Sequence, residues 1–281
     1  MFERTFTLKP TFTLKPTFII AALIFSASAA HASEYRFELQ GEYGTNDNED
    51  DEVNVEDKSL RGTYYFNPVN TEDHVLGEAA FLERASNIRL GGYRSTMEVP
   101  ERTIFFEEEP YVLSAYESSV DTYTASAEWY LPGDLFYARV GATRFESGSF
   151  NSDEAWNASL GITPAEGLLI SSDFYEDQDF DEDWNLNVKY VTDGLGPTLA
   201  LTSRYNYRSY SNNTAMLGVD FYLTRTLSIG VQRSEVLEGG DTPDNWQFRA
   251  RKFFGERWSV SGYYNELEEE ANFGVATSLR F

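Results

Sequence analysis

The amino-acid sequence predicts an all-β protein, an antiparallel transmembrane β-barrel of about fourteen strands, with sixteen or twelve strands as the alternatives. Residues 271–281 alternate between mainly apolar and mainly polar side chains and end on Phe281. Segments of similar length and alternation recur along the chain from residue 34 onward. Because a tilted strand of ~9 to 11 residues crosses the hydrocarbon of a bilayer, this pattern favours a membrane barrel.

The strand boundaries follow from where the alternation starts and where turn residues interrupt it. Fourteen strands are predicted, at 34–43, 58–66, 75–93, 118–130, 135–145, 154–162, 168–175, 184–191, 197–208, 214–222, 226–234, 245–253, 257–265 and 271–281. Short turns, such as those at 67–70 and 163–167, contrast with longer acidic connections such as 175–183. This asymmetry is typical of outer-membrane barrels, in which short turns and both termini lie on the periplasmic side.

The connection from 95 to 117 is the longest, and three interpretations are open for it. It could fold into the lumen, where Phe105, Phe106 and Glu107 to Glu109 would supply bulk and charge. Its strand-like composition also fits a hairpin that extends the third and fourth strands beyond the bilayer. A further hairpin in this region would raise the number of strands to sixteen.

The first 32 residues have the features of a cleaved secretory signal peptide. Basic residues precede an apolar run at 18–25, and Ala30-His31-Ala32 provides a small-x-small cleavage site, with cleavage after Ala29 as the other option. The apolar run is too short for a spanning helix. We therefore expect export of the protein and a single barrel domain at 33–281.

The composition restricts the possible partners. The chain has 46 acidic and 22 basic residues and a net charge of -24, which argues against a nucleic-acid partner because phosphate binding needs a basic face. Aromatic residues make up 16% of a chain that is only 41% hydrophobic, as expected when alternate residues face lipid and Tyr and Trp form interfacial belts. The absence of cysteine excludes disulfides and thiolate chemistry.

The polar positions of the strands provide the candidate lining of a lumen. If the apolar positions face lipid, the candidate pore-lining residues are Arg36, Glu38, Arg61, Glu128, Arg139, Lys189, Arg204, Asp220, Arg249 and Arg251. This wall is mildly basic, and a basic wall favours the passage of anions, including carboxylate solutes. In the alternative interpretation, bases and acids on neighbouring strands pair and stiffen the barrel.

Most acidic residues lie in the proposed outside loops, at 47–57, 107–109, 176–183 and 266–270. Clustered carboxylates could bind divalent cations and bridge to lipopolysaccharide phosphates. Asp177, Asp179 and Asp181 nevertheless lack the glycine and glutamate that an EF-hand loop requires. A solvated acidic rim is the favoured interpretation, since runs of like charge repel each other and extend.

Two short motifs carry a family resemblance: GTYYF at Gly62 to Phe66 and EAAFLERAS at Glu78 to Ser86. They resemble a family of general porins of Gram-negative outer membranes. The closing strand with Phe281 is also similar to the assembly signal of bacterial outer-membrane barrels. The resemblance implies a passive pore for ions and small hydrophilic solutes, in contact with outer-membrane lipid, lipopolysaccharide and the barrel-assembly machinery. It implies no cofactor, metal or catalytic residue, and the oligomeric state stays open.

Two other functions and one other fold are alternatives to a pore. Outer-membrane hydrolases generally use histidine as a base, but His31 would leave with the signal peptide and His74 lies at a predicted turn without a serine-acid arrangement. We therefore expect no enzymatic activity. A structural or adhesive barrel with an occluded lumen is the stronger rival. A soluble β-barrel is disfavoured because charges such as Arg139, Lys189 and Arg249 would fill its interior.

Overall fold

The computed structural model shows a closed antiparallel β-barrel of fourteen strands, as predicted, and a separate two-stranded sheet. It describes residues 33–47, 53–106, 109–131, 133, 135–147, 150–176, 178, 182–192, 197–209, 212–237, 245–267 and 270–281. In this part of the chain no helix is long and apolar enough to cross a membrane.

The elements are numbered in chain order. The strands are β1 (Glu34–Asp47), β2 (Asn54–Asn70), β3 (Asn87–Val99), β4 (Arg102–Phe106), β5 (Glu109–Leu113), β6 (Tyr116–Tyr130), β7 (Phe136–Ser147), β8 (Phe150–Ala165), β9 (Leu168–Tyr175), β10 (Asp183–Val191), β11 (Leu199–Arg208), β12 (Thr214–Thr224), β13 (Leu227–Val236), β14 (Asn245–Phe254), β15 (Trp258–Leu267) and β16 (Glu270–Arg280). One short helix, α1 (Ala79–Leu82), lies between β2 and β3.

Each barrel strand pairs with its neighbours in sequence, except that β3 pairs with β6 because β4 and β5 form their own sheet. The first and last strands close the barrel in the register Glu38↔Arg280 to Asp47↔Ala271. Ser33, Phe281 and the connections 166–167, 225–226 and 255–257 lie at one end of the barrel, here called the turn end. The opposite end, with the connections 48–53, 176–182 and 237–244, is called the loop end.

The alternation in the sequence becomes two faces of the sheet. Leu60 and Leu90, on adjacent strands, are 58% and 60% exposed on the outside. On β16 the outward Val275 is 52% exposed, whereas its inward neighbours Gly274 and Ala276 are buried. Side chains of successive strand residues point to opposite faces, so one apolar set covers the outside and one polar set surrounds the lumen.

Two of the predicted boundaries near β2 are wrong. The third strand does not begin at Val75, because β3 starts at Asn87 and α1 precedes it. The segment from Glu78 to Ser86 is rich in Ala, Leu and Glu, which favour helix over strand. The predicted turn at 67–70 is also wrong: β2 continues through it to Asn70, with a register irregularity opposite β1 between Tyr35 and Phe37.

The structure combines two of the three interpretations of the connection from 95 to 117. Strands β3 and β6 continue the barrel up to the pair Val99↔Tyr116, so only the residues between them leave it. Those residues form the β4–β5 hairpin, which brings the described strands to sixteen without enlarging the barrel. The candidate residues Phe105, Phe106 and Glu107 to Glu109 have side chains outside the described part.

We predict that an arginine is tolerated on one face of a strand and not on the other. Leu90→Arg should destabilise the folded barrel by about 2 to 4 kcal/mol, as charged residues do on the lipid face near the middle of the bilayer. Thr143→Arg, on the inward face of β7, should cost much less because its guanidinium stays in water. Urea titration of folding into lipid vesicles measures both values, and equal costs would contradict the assignment of faces.

Candidate functional site

The inward face of the barrel brings together nine of the ten candidate pore-lining residues. They are spread over strands β1 to β14 at positions that alternate with the outward apolar residues: Glu38, Arg61, Glu128, Arg139, Lys189, Arg204, Asp220, Arg249 and Arg251. The lumen is therefore the site at which the charged residues of the strands meet.

Arg36 does not belong to this set. The backbone N–H groups of Arg36 and Phe37 both donate to the carbonyl oxygen of Phe281, at 2.7 and 3.1 Å, so two residues of β1 face one residue of its partner. Such a bulge inserts one residue and shifts the alternation. Tyr35 is buried and Glu38 faces inward, while the two residues between them are exposed. The sequence pattern alone did not reveal this extra residue.

Several inward bases are neutralised by acids on other strands. Arg249 on β14 donates two hydrogen bonds to Asp220 on β12, both at 2.7 Å, and also contacts Gln232 and Gln247. Gly230 on the intervening strand leaves room for this pair, because a Cβ atom there would collide with the Asp220 carboxylate. Arg249 therefore joins three strands instead of presenting a free charge to the lumen.

Three more bases are held in the same way. Arg280 donates to Glu38 at 2.6 Å and closes the β1–β16 seam, and Arg204 lies 3.5 Å from Asp173. Lys189 lies 2.6 Å from Glu78. These three bases form ion pairs across strands or across the lumen, as the second interpretation expects. They therefore contribute little net charge to the lumen.

A second group of arginines lacks such partners. Arg61, Arg89 and Arg139, on β2, β3 and β7, make no ion pair with any residue that the structure describes. The Nε of Arg139 is buried without a hydrogen-bond partner in the described part. Their register makes Arg61 and Arg89 diagonal neighbours on adjacent strands, and Glu128 opposite Arg139 accepts a hydrogen bond from Tyr137 instead. We call these three residues the arginine row.

The sequence did not identify Arg89 as part of this row. The third strand was predicted to begin at Val75, which obscured the alternation that starts at Asn87 and places Arg89, Gly91 and Tyr93 on the inward face. The helical composition before Asn87 was the signal that could have separated the two segments.

The connection between β2 and β3 crosses the turn end of the lumen, and we call its residues 71–86 the plug segment. On one side Ala79, Ala80 and Ala85 pack against Tyr35, Tyr65 and Val69 of β1 and β2. On the other side Val75, Phe81 and Leu82 pack against Val191, Ala200 and Tyr222 of β10, β11 and β12. In the circular strand order these two groups lie on opposite parts of the wall.

Polar contacts fix the plug segment to the wall. The Glu78 carboxylate accepts a hydrogen bond from the Tyr222 hydroxyl at 2.9 Å and pairs with Lys189. Arg280 donates to the carbonyl oxygen of Leu76 at 2.8 Å. Arg225 donates to the carbonyl oxygens of Thr71 and His74. The segment is thus held by apolar packing and by charged groups from three regions of the wall.

The remaining chemical candidates are limited. His74 lies in the plug segment, where its Nε2 is 2.7 Å from Glu83, and not in a simple turn. No group of three side chains suited to a metal ion occurs in the described part of the chain. Several residues of the predicted acidic clusters lie outside the described part of the chain: 48–52, 107–108, 177, 179–181 and 268–269. Glu56 and Asp57 were predicted in a loop, but they belong to β2.

Comparison with known proteins identifies the family. The profile of a family described as "Putative general bacterial porin" matches residues 15–281. The chain belongs to this family. The outer membrane protein Omp33 of Acinetobacter baumannii has a similar structure, with a TM-score of 0.66 and 20% sequence identity over 89% of this chain and 99% of the Omp33 chain.

Other solved structures are similar at lower TM-scores, among them OprB and the KdgM porin. OprB of Pseudomonas putida gives a TM-score of 0.46 at 10% identity, over 88% of this chain and 92% of OprB. The KdgM porin gives 0.40 at 10% identity, over 86% and 99%. No curated protein matches the sequence.

The protein is therefore a porin-family β-barrel of the outer membrane, a fold and family typical of non-enzymatic channels. In such barrels the short turns face the periplasm and the longer loops face outward. The turn end, with the plug segment, is accordingly the periplasmic end.

We predict that Asp220 and Arg249 are energetically coupled. A double-mutant cycle with Asp220→Asn and Arg249→Gln should give a coupling of about 1.5 to 3 kcal/mol, since two charge-assisted hydrogen bonds are lost together. The free energy of unfolding in vesicles is the quantity to measure. As a control, the exposed pair Arg144 and Glu146 should give less than about 1 kcal/mol. Equal coupling in both pairs would contradict the structural role of Asp220 and Arg249.

Proposed function

We propose that this porin is a passive diffusion channel for ions and small hydrophilic solutes, and that its lumen favours anions. The arginine row is the observation that carries the second part of the proposal. Arg61, Arg89 and Arg139 have no ion-pair partner in the described part of the chain, so their charges act on solutes in the lumen. Fixed charges along a pore wall bias which ions pass.

The proposal includes the remaining expectations for this chain. Residues 1–32 are a signal peptide that is removed on export, and the mature barrel begins at Ser33. The apolar outer face contacts outer-membrane lipid and lipopolysaccharide. The barrel-assembly machinery recognises the last strand, which ends on Phe281. A lumen of fourteen strands should be wider than that of eight-stranded barrels and narrower than that of porins with 16 to 18.

The plug segment favours a second candidate, a structural or adhesive barrel with an occluded lumen. A solute that leaves the lumen on the periplasmic side must pass residues 71–86, which pack on opposite parts of the wall. In the channel proposal the plug segment yields to permit conduction. In the second candidate it stays in place. Conductance separates the two, because only a channel carries current.

We predict that the arginine row controls ion selectivity. Single-channel recording of the protein from Ser33 to Phe281 under a salt gradient should give a reversal potential that favours anions. Replacing Arg61, Arg89 and Arg139 by Gln should move the potential toward cation preference, because three positive charges that make no ion pair are removed.

The matched control removes a paired charge. Arg249→Gln combined with Asp220→Asn deletes one charge of each sign, so the reversal potential should stay unchanged. The proposal would be contradicted by an unchanged reversal potential after the three arginines are replaced, or by a folded barrel without conductance.

We also predict that removing the contacts of the Glu78 carboxylate raises the open probability of the channel. Lys189→Met together with Tyr222→Phe removes both side chains that bind this carboxylate. Loss of one ion pair and of one hydrogen bond to a charged group should shift the closed-to-open equilibrium by about tenfold or more. Arg204→Met serves as the control, because Arg204 contacts Asn187 and Asp173 and not the plug segment. Identical open probability in all three proteins would show that the plug segment does not limit conduction.

A further inference from the structure

A recess opens in the inward face of the barrel, beside the arginine row and toward the loop end. Its volume is about 270 Å³, and it is formed by strands β1, β2, β3, β6 and β15. The side chains that matter for its chemistry are Glu42, Asp57, Arg61, Tyr93, Thr124 and Tyr263. It therefore combines two carboxylates, one guanidinium and three hydroxyl groups in a space that suits a small solute.

One carboxylate of the recess is positioned by a tyrosine. The Tyr93 hydroxyl donates to Asp57 Oδ1 at 2.7 Å, and the Tyr263 hydroxyl and the Glu42 carboxylate face the same recess. Neither carboxylate has a basic group within ion-pair distance in the described part of the chain. A carboxylate has about four lone-pair sites, so one hydrogen bond leaves most of its accepting capacity unused.

Tyr263 is itself fixed by the backbone around it. Gly44 on β1 and Gly274 on β16 lie against its ring, and a Cβ atom at either position would collide with it. The two glycines create a slot in the wall in which the ring rests. The Tyr263 hydroxyl is thereby held at a defined place on the wall of the recess, as expected of a preorganised binding group.

Arg61 lies at the other end of the recess and remains unpaired. Glu42 is directly opposite Ser59, so Arg61, two residues further along β2, is its diagonal neighbour. Long side chains at diagonal positions reach each other, and opposite charges there usually pair. Here no ion pair within 4 Å joins Glu42 and Arg61, and charges of both signs face the same recess.

We propose that this recess binds a small zwitterion, with its carboxylate on Arg61 and its ammonium group between Glu42 and Asp57. The chemical class is that of free α-amino acids, which carry both charges on a body small enough for the space. A simple anion would leave Glu42 and Asp57 unused and close to its own charge, and a simple cation would meet Arg61. This inference deepens the proposed channel function, since the recess would act as a resting site on the solute path.

Binding is tested without any measurement of conductance. The refolded protein in lipid nanodiscs is mixed with L-alanine, N-acetyl-L-alanine or L-alaninamide, and saturation-transfer NMR reports which molecule contacts the protein. The first probe carries both charges, the second only the carboxylate and the third only the ammonium group. We expect L-alanine to bind about tenfold or more tightly than either analogue, because each analogue loses one charge-assisted contact.

Variants of the recess locate the binding. Arg61→Gln should weaken L-alanine binding about tenfold, and so should Glu42→Gln combined with Asp57→Asn. Asp220→Asn combined with Arg249→Gln removes one charge of each sign from the lumen outside the recess and should leave binding unchanged. Tyr263→Phe keeps all the charges and tests positioning alone. A difference in gel mobility between unheated and heated samples verifies that each variant has folded as a barrel.

Three results would overturn the inference. Equal binding of N-acetyl-L-alanine and L-alanine would make the recess an anion site. Binding that survives the recess substitutions would place it elsewhere. If none of the three probes binds, the recess is not a site for small zwitterions. None of these results depends on conductance, so a silent barrel that binds L-alanine would contradict the channel proposal alone.

Discussion

The rest of the structure depends on the closure of the sheet between β1 and β16. A membrane offers no water to unpaired backbone groups, so a spanning sheet is stable only when every strand has two neighbours. In this protein the closing register runs from Glu38↔Arg280 to Asp47↔Ala271, and the Glu38–Arg280 pair at 2.6 Å adds a charged contact at the periplasmic end of the seam. Once the ring is closed, alternation along each strand assigns every side chain to lipid or to the lumen.

That assignment separates the charges of the lumen into two classes. Arg249, Arg204 and Arg280 pair with acids on other strands and stiffen the wall. The arginine row does not, and the Asp57 carboxylate binds the Tyr93 hydroxyl instead of a base. Charges that are paired serve the barrel, whereas charges that are left unpaired are available to solutes. The proposed anion preference and the ion-paired interpretation of the wall therefore concern different residues.

Much of the fold could be predicted because the alternation of apolar and polar residues in a strand can be recognised from a short segment of sequence. The strand at 168–175 has the predicted boundaries, and the strands from 184 to 281 differ from the structure by one or two residues. The plug segment could not be predicted in the same way. Its position depends on contacts between Glu78 and residues more than a hundred positions away, which no alternation records. Arg36 was misplaced because a bulge changes the phase of the pattern without leaving a sign in composition.

Whether the lumen is an aqueous cavity open to the outside can be tested most directly with single cysteines, since the natural chain contains none. Ser126 faces the lumen and Ala125, the preceding residue of β6, faces lipid. With the barrel in vesicles, a membrane-impermeant thiol reagent added on the loop side should label Ser126→Cys rapidly and Ala125→Cys hardly at all. Equal labelling of the two positions, or labelling of Ala125→Cys alone, would contradict the account of a water-filled barrel with these two faces.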